Sequence, residues 1–340
     1  MVSVTPHGDN VSDLTADTAG VLLVRLRYSV RTCACLALVT WLIPLTATAQ
    51  SVRDAIAGAG LGSGYAQMLN LASTPDLSSA QYKVSDDDPD TTIGLTRIPY
   101  ESKWVALTPT TDLYWRIAGS HFQMKDTLTV QVFEVGGTVD SRWTAWSATA
   151  GVYTSTELGS GFRIQPALDF GFARLDNSGS YRGPAVDLRP VLDGLLFNWN
   201  MYAWLVTPSL AMEWADVTPE RRMRIRTHAA YSWIQSFDES NRVLGFRENA
   251  GTYSVRGEYA APTGLRIMDR SVDWVGFASY GGFFGGNRGA LGFTTVSEVG
   301  AGLESPFDKG NPLGQQVRVS ASYLFGPSIR GWTVGIGLEF

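Results

Sequence analysis

The feature that most constrains the fold is an alternation of apolar with small or polar residues, which recurs from about position 98 to 340. A period of two belongs to a β-strand, whose successive side chains point to opposite faces. The final segment shows it clearly, because one face carries Trp332, Val334, Ile336, Leu338 and Phe340. Glycine, threonine and glutamate occupy the other face. The pattern predicts an all-β chain.

Tryptophans at both ends of one apolar face place these strands in a membrane. Trp204 and Trp214 bracket such a face, and ten residues at about 3.3 Å span about 33 Å. A tilt of about 40° reduces this length to about 25 Å, the height of the lipid-facing band of a membrane barrel. Trp233 and Trp332 extend the predicted aromatic girdle. A soluble secreted all-β protein, with its apolar face turned inward, is the alternative.

The predicted fold is a transmembrane antiparallel up-and-down β-barrel of about twelve strands, within a range of about 10 to 14. Roughly thirteen segments alternate, and a bacterial single-chain barrel should contain an even number. The weakest segments are Ile98–Leu107 and Val186–Leu196, and 266–282 is overlong for one strand. Three prolines lie within the predicted strands, at Pro166, Pro190 and Pro208. Because proline cannot donate to a strand ladder, we expect local bulges to absorb them.

The first 49 residues have the order of a secretory signal peptide. Arginines at 25, 27 and 31 precede an apolar run over 33–45, and the small residues Ala47 and Ala49 follow. Cleavage after Ala49 starts the mature chain at Gln50. The polar residues 1–20 do not fit a signal, which suggests a start codon assigned too early.

Composition removes several kinds of function. Both cysteines, Cys33 and Cys35, lie within the predicted signal, so we expect no disulfide or cysteine-based metal site in the mature chain. The formal net charge of −5 gives no support to nucleic-acid binding. We therefore predict no metal, no cofactor and no nucleic-acid partner.

Between the signal and the predicted barrel at 91–340 lies a leader, 50–90, that does not alternate. Apolar residues at 55–59 and 65–69 suggest two helical turns, but Gly58, Gly60, Gly62 and Gly64 argue against a continuous helix. The acidic run at 86–90 is interpreted as a solvated linker. The leader is predicted to be periplasmic or to plug the lumen.

Candidate chemistry is confined to the predicted lumen face. An arginine ladder either pairs with lumen carboxylates or biases a pore toward anions. These residues are Arg222, Arg224 and Arg226, with Glu213, Asp169, Glu298 and Glu339. His121 and His228 are the two histidines of the mature chain, and we interpret both as structural or lumen-lining. No catalytic residue is predicted.

These features together resemble the solitary outer-membrane autotransporter-like β-barrels, over about residues 90–340. The sharpest motif is the last strand, GWTVGIGLEF, which ends on Phe340. In outer-membrane proteins generally, such a strand is the signal for the barrel-assembly machinery, so the resemblance implies that machinery, periplasmic chaperones and outer-membrane lipid as partners. The family's location implies a Gram-negative outer membrane. Autotransporters carry hundreds of passenger residues ahead of the barrel, whereas about forty mature residues precede it here.

Three functions remain open. The first is a non-enzymatic, autotransporter-like translocator or pore without a passenger. The second is an outer-membrane hydrolase acting on lipid or peptide. The third is a structural or surface-recognition barrel that exposes loops such as Phe237–Glu248.

Overall fold

The computed structural model describes residues 61–73, 80–84, 92–132, 135–267, 270–306, 316–327 and 329–339, with three short strand segments at 21–22, 24–26 and 43–44. The predicted cleavage residues Ala47 and Ala49, the acidic run at 86–90 and the terminal Phe340 lie outside the described residues. None of the described helices is both long enough and apolar enough to cross a bilayer.

One helix precedes a single antiparallel sheet. Helix α1 is Leu61–Ser73. The strands in chain order are β1 Ala80–Val84, β2 Thr92–Thr108, β3 Thr111–Val132, β4 Val135–Gly159, β5 Phe162–Arg182, β6 Trp199–Val217, β7 Arg222–Phe237, β8 Arg247–Ile267, β9 Arg270–Phe284, β10 Thr295–Pro306, β11 Gln316–Gly326 and β12 Ile329–Glu339.

Each strand from β2 to β12 pairs with the next along the chain, which makes an up-and-down sheet. The five-residue β1 joins the two edges of this sheet over four residue pairs on each side, with β12 through Ile329–Trp332 and with β2 through Thr92–Leu95. The expectation of about twelve strands is therefore confirmed, with eleven long strands and one short one.

The two ends of the barrel differ in their connections. The end called here the loop end carries the connections 183–198, 238–246 and 285–294. Among the described connections, the opposite, turn end carries 109–110, 160–161 and 218–221. Since bacterial barrels have long extracellular loops and short periplasmic turns, we expect the loop end to face outward from the cell. Strand β12 runs toward the turn end.

Alternating exposure confirms the predicted faces. Along β6, Trp204, Leu210 and Met212 are exposed, whereas Ala203, Leu205 and Ala211 are buried toward the lumen. A soluble protein gains nothing from a ring of exposed aromatic and aliphatic residues, while in lipid the same residues are in their preferred solvent. The apolar face therefore points outward.

Several sequence expectations need correction. Val186–Leu196 is not a strand: Gly183–Leu188 is a 3-10 helix and Arg189–Leu192 a short α-helix, since Pro184 and Pro190 suit helix starts and not a ladder. The overlong segment at 266–282 is divided, because β8 ends at Ile267 and β9 begins at Arg270. The barrel also begins inside the predicted leader, at Ala80.

The prolines within strands are accommodated without the predicted bulges. Pro166 pairs with Leu210, and Pro208 with Leu168, in one continuous β5–β6 ladder that has no register shift. The interruptions fall in the ladder on the other side of each strand, because the β4–β5 pairs skip Pro166 and the β6–β7 pairs skip Pro208. A missing N–H on one side of a strand thus interrupts only one of its two ladders.

The three short segments before α1 also pair. Val21–Leu22 pairs with Ile43–Pro44, and Val24–Leu26 pairs with Val130–Val132 of β3.

The depth of each outward residue predicts its tolerance of charge. Leu168 lies midway between the aromatic girdles on β5, so we expect Leu168→Arg to lower the free energy of unfolding in lipid vesicles by about 2–4 kcal/mol. The same change at Ser180, near the loop end of β5, should cost about 0–1 kcal/mol. Urea titration of the vesicle-inserted protein measures both. Equal losses at the two positions would contradict the assigned membrane level.

Candidate functional site in the barrel lumen

An ion-pair network lines the wall of the lumen along β7 to β11 in the turn-end half, and Glu258 of β8 is at its centre. Arg224 Nη2 donates to Glu258 Oε2 at 2.7 Å, and Arg256 Nε donates to Glu258 Oε1 at 2.7 Å. Arg318 Nη1 of β11 donates to Glu258 Oε1 at 2.8 Å. The Glu258 carboxylate, only 8% exposed, therefore accepts from three guanidinium groups.

Two further glutamates extend this network around the barrel wall. Glu304 of β10 pairs with Arg222, and Arg318 Nη2 donates to Glu304 Oε2 at 2.9 Å. Glu298 accepts from Arg256 Nη1 at 3.2 Å and from Ser322 Oγ at 2.5 Å. The guanidinium of Arg256 also lies 4.0 Å from the centroid of the Phe277 ring. The strands β7 to β11 are thus cross-linked from inside the barrel.

The predicted arginine ladder does point into the lumen, and each arginine has an acidic neighbour. Arg222 pairs with Glu304, and Arg224 with Glu258. Arg226 Nη1 donates to Gln165 Oε1 at 2.7 Å and lies 3.5 Å from Glu213 Oε2. Such pairing with lumen carboxylates is what the structural interpretation of the ladder expects, as opposed to an anion-selective pore.

Two other predicted carboxylates take partners that the sequence analysis did not name. Asp169 pairs with Arg116 of β3, and Glu298 pairs with Arg256 of β8. The backbone of Glu339 pairs with Gln316, and its side chain lies outside the described residues.

Sequence analysis missed Glu258, Glu304, Arg256 and Arg116. The signal was present, because Arg256 and Glu258 alternate with the apolar Val255 and Tyr259 on β8. A single charged residue on a lumen face looks like any solvated polar residue until the partner strand is known. The pairing register, not the local pattern, identifies these residues.

Helix α1 fills the loop-end half of the lumen. Tyr65, Ala66, Met68 and Leu69 are each no more than 1% exposed and belong to one apolar cluster with inward residues of the strands. The Tyr65 ring lies 5.0 Å from that of Trp199 and 5.3 Å from that of Trp143. One of the glycines predicted to weaken this helix, Gly62, instead permits its packing. A Cβ on Gly62 would lie 2.6 Å from Cβ of Phe246.

Three polar contacts fix the register of α1 against the wall. Ser232 Oγ donates to Asn70 Oδ1 at 3.0 Å. Gln67 Nε2 donates to Asn287 Oδ1 at 3.0 Å, and Ser63 Oγ donates to Glu248 at 3.1 Å. Because a buried amide costs free energy unless it is hydrogen-bonded, these partners favour one position of the helix over others.

A small polar cavity of about 50 Å³ is located in the lumen. It is lined by Glu101, Arg116, Tyr153, Gln165, Ser209, Ala211, Arg226 and His228. This volume holds a few water molecules but not a lipid or peptide. His228 is buried here, as predicted, whereas His121 lies on the outer face with its ring 4.2 Å from that of Trp146.

The predicted girdle residues divide between the two ends. Trp204, Trp233 and Trp332 are exposed toward the loop end, and Trp214 lies toward the turn end on the outward face of β6. In the last strand, Trp332 and Val334 are 68% and 77% exposed. Ile336 and Leu338 lie on β12, but their side chains are outside the part of the chain that is described.

In the described part of the chain, no group of three or more His, Cys, Asp or Glu residues is placed to hold a metal ion.

A family model covers most of the chain. Residues 89–336 match the family model described as the solitary outer membrane autotransporter beta-barrel domain. The β domain of the Bordetella autotransporter BrkA is 14% identical, with a TM-score of 0.45 over 77% of this chain and 96% of that one. The transport unit of AIDA-I from Escherichia coli is 12% identical, with a TM-score of 0.45 over 82% and 98%. The translocator domain of NalP from Neisseria meningitidis is 13% identical, with a TM-score of 0.39 over 86% and 100%. No curated protein gave a significant match.

Removal of the central carboxylate tests the lumen network. Glu258→Gln leaves three guanidinium groups around a neutral amide, so we expect the free energy of unfolding to fall by about 3–5 kcal/mol. The control is Glu157→Gln, which breaks the exposed pair between Glu157 and Arg163 and should cost less than about 1 kcal/mol. Denaturant titration of the detergent-solubilised barrel measures both. Equal losses would show that the central position of Glu258 carries no special stability.

Proposed function

Because the chain belongs to the solitary outer-membrane autotransporter β-barrel family, a family of the Gram-negative outer membrane, we propose that it is a closed, non-enzymatic barrel of translocator type whose helix α1 stays in the lumen as a plug. Its lumen then carries no resting flux of solutes. The observation that carries this proposal is the burial of Tyr65, Met68 and Leu69 among inward side chains of the wall.

The packing of α1 supports a resident plug over a segment in transit. A segment that slides through a pore needs a wet, non-specific wall, since each step must leave few polar groups unsatisfied. Here the wall is apolar at Trp143, Trp199 and Met201, and it holds Asn70 and Gln67 by specific hydrogen bonds. Withdrawal of the helix exposes this apolar cluster to water, which opposes release.

The turn-end network supports a low conductance by a second route. Guanidinium and carboxylate groups from β7 to β11 meet along the lumen wall with distances of 2.7–3.2 Å. Paired charges are weakly attractive to passing ions compared with a ring of one sign. The anion-selective alternative for the arginine ladder is therefore not favoured.

The size of the lumen cavity disfavours the hydrolase alternative. Ligand pockets usually measure about 300–1,000 Å³, whereas the cavity beside His228 measures about 50 Å³. The outward His121 packs on Trp146 at the membrane face. A lipid- or peptide-hydrolysis assay of His121→Ala and His228→Ala tests this alternative, and loss of an activity shown by the wild type would revive it.

The surface-recognition alternative is weakened by the loop at 238–246. Leu244 is buried and Phe246 packs on Tyr65, so part of this loop covers the plug and does not project.

Biogenesis is proposed to follow the sequence expectations: export by the N-terminal signal, periplasmic chaperones, and recognition of the last strand by the barrel-assembly machinery. Outer-membrane lipid then surrounds the exposed apolar face.

A disulfide tests whether α1 is resident in the mature barrel. Asn70→Cys/Ser232→Cys, in a Cys33→Ser/Cys35→Ser background, joins two side chains that are now hydrogen-bonded at 3.0 Å. We expect an oxidised cross-link in outer-membrane fractions, seen as a mobility change that a reductant reverses. The control Asn70→Cys/Ser178→Cys should not cross-link, because Ser178 is exposed on the outer face. Absence of the first cross-link in folded barrels would contradict the plug.

Single-channel recording tests the closed lumen. The wild-type protein inserted in a planar bilayer should show no sustained conductance steps. Tyr65→Asp/Leu69→Asp places two charges in the apolar cluster and should displace α1, giving intermittent steps. Insertion is verified by the heat-dependent mobility shift of folded barrels. Sustained steps from the wild type would show that the lumen is open at rest.

A further inference from the structure

The outer face of β3, β4 and β5 carries a basic patch near the loop end, defined by Lys125, Arg142, Arg174 and Arg182. All four are exposed, and each lies at an outward-facing position of its strand. The carboxylates on the same face and level are Asp140 and Asp176. The patch therefore has an excess of two positive charges among the described residues.

Both carboxylates are already bound by two of the arginines. Arg174 Nη2 donates to Asp176 Oδ1 at 2.9 Å, and Arg182 Nη2 lies 2.7 Å from Asp140 Oδ2. Lys125 and Arg142 remain, and neither takes part in an ion pair or side-chain hydrogen bond with any described residue. The excess charge is thus located on these two side chains.

Lys125 and Arg142 are direct cross-strand partners in the β3–β4 ladder. Side chains at such positions are close neighbours, and like charges placed opposite one another destabilise a sheet. The sequence keeps two like charges opposite one another here, although an opposite charge at either position would remove the repulsion. An anion bridging the two side chains reverses the sign of the interaction, because each cation then has an opposite charge beside it.

The height of the patch identifies the kind of anion. Trp146 of the loop-end girdle lies four residues from Arg142 on β4, which is about 13 Å along the strand and, with a tilt of about 40°, about 10 Å in height. Arg174 lies beside the girdle, since its backbone pairs with Trp146 and its guanidinium lies 5.8 Å from the Tyr202 ring. This level is the headgroup layer of the outer leaflet.

The direct neighbours of the pair on the flanking strands are polar and uncharged, and the nearby Asp140 and Asp176 are bound to Arg182 and Arg174. On the strands flanking it, Thr92 pairs with Lys125 and Ser178 pairs with Arg142. One step toward the girdle, Gln123 pairs with Thr144. A phosphate bound between the two cations thus finds hydroxyl and amide donors at its edges and apolar wall below, where acyl chains lie.

We propose that Lys125 and Arg142 bind a phosphate group of the phosphorylated glycolipid of the outer leaflet, with its acyl chains against the apolar face of β3 to β5. This site is independent of the lumen plug, because it faces the opposite side of the sheet. The paired cations supply the charge, and their position just beyond the girdle selects a membrane-anchored phosphate over one in solution.

Purified barrel in detergent with bis-phosphorylated lipid A tests the site. We expect lipid A to raise the thermal unfolding temperature of the wild type and to remain bound in native mass spectrometry. Lys125→Gln/Arg142→Gln should weaken lipid A binding by about tenfold or more. The control Lys103→Gln/Arg163→Gln removes two exposed cations at the turn end and should bind as the wild type does.

Two comparisons separate the sources of phosphate. Lipid A without phosphates and inorganic phosphate alone should each leave the unfolding temperature of the wild type unchanged. An equal response to dephosphorylated lipid A, or to inorganic phosphate, would overturn the assignment. Equal lipid A binding by Lys125→Gln/Arg142→Gln and the wild type would also overturn it.

A charge reversal gives an independent readout without lipid. Arg142→Glu creates an opposite-charge pair with Lys125, so the unfolding temperature in detergent alone should equal or exceed that of the wild type, while the response to lipid A is lost. A retained response to lipid A in this variant would contradict the proposal.

Discussion

A backbone amide has no hydrogen-bond partner in the hydrocarbon core of a bilayer, so each must be paired within the protein. In this chain a ladder runs from β2 to β12, and β1 joins its two edges over four residue pairs on each side. The curled sheet encloses a volume that is lined by every second side chain. What occupies that volume decides whether the protein is a channel, and here the chain supplies two fillings, a helix at the loop end and an ion-pair network along one side of the wall at the turn end.

The two fillings depend on different physics. At the loop end, Tyr65 and Leu69 of α1 complete an apolar cluster whose stability comes from removal of surface from water. At the turn end, the Glu258 carboxylate pairs with arginine guanidinium groups. Their attraction offsets the cost of desolvating these charges only while the hydrogen-bond geometry is kept. The network ties β7 to β11 together, and the helix is held in one position above it by close packing and by its hydrogen bonds to the wall.

Much of the wall could be predicted from the sequence, because lipid on one side and a polar lumen on the other impose alternation on each strand. The lipid-facing residues of β6 and of Trp332–Val334 on β12 could be read from this alternation.

The pattern failed where alternation is short or absent. β1 is too brief to carry a period, and Val186–Leu196 alternates without pairing. The glycines of α1 suggested a broken helix, since propensity records the cost of glycine and not the space that Phe246 requires. The partners of Arg222 and Arg224 depend on how the strands pair, since Glu304 lies three strands from Arg222 and Glu258 faces Arg224 through the β7–β8 register, which no local pattern contains.

The short length of β1 has a mechanical consequence. Only six residues separate Ser73, the end of the plug, from Ala80, the start of the strand that joins β12 to β2. Such a tether spans at most about 25 Å. A force that draws the helix out of the barrel soon acts on β1, whose ladders consist of four residue pairs on each side. The plug and the weakest joint of the wall are therefore one mechanical unit, and unplugging this barrel by force loads the seam that closes it.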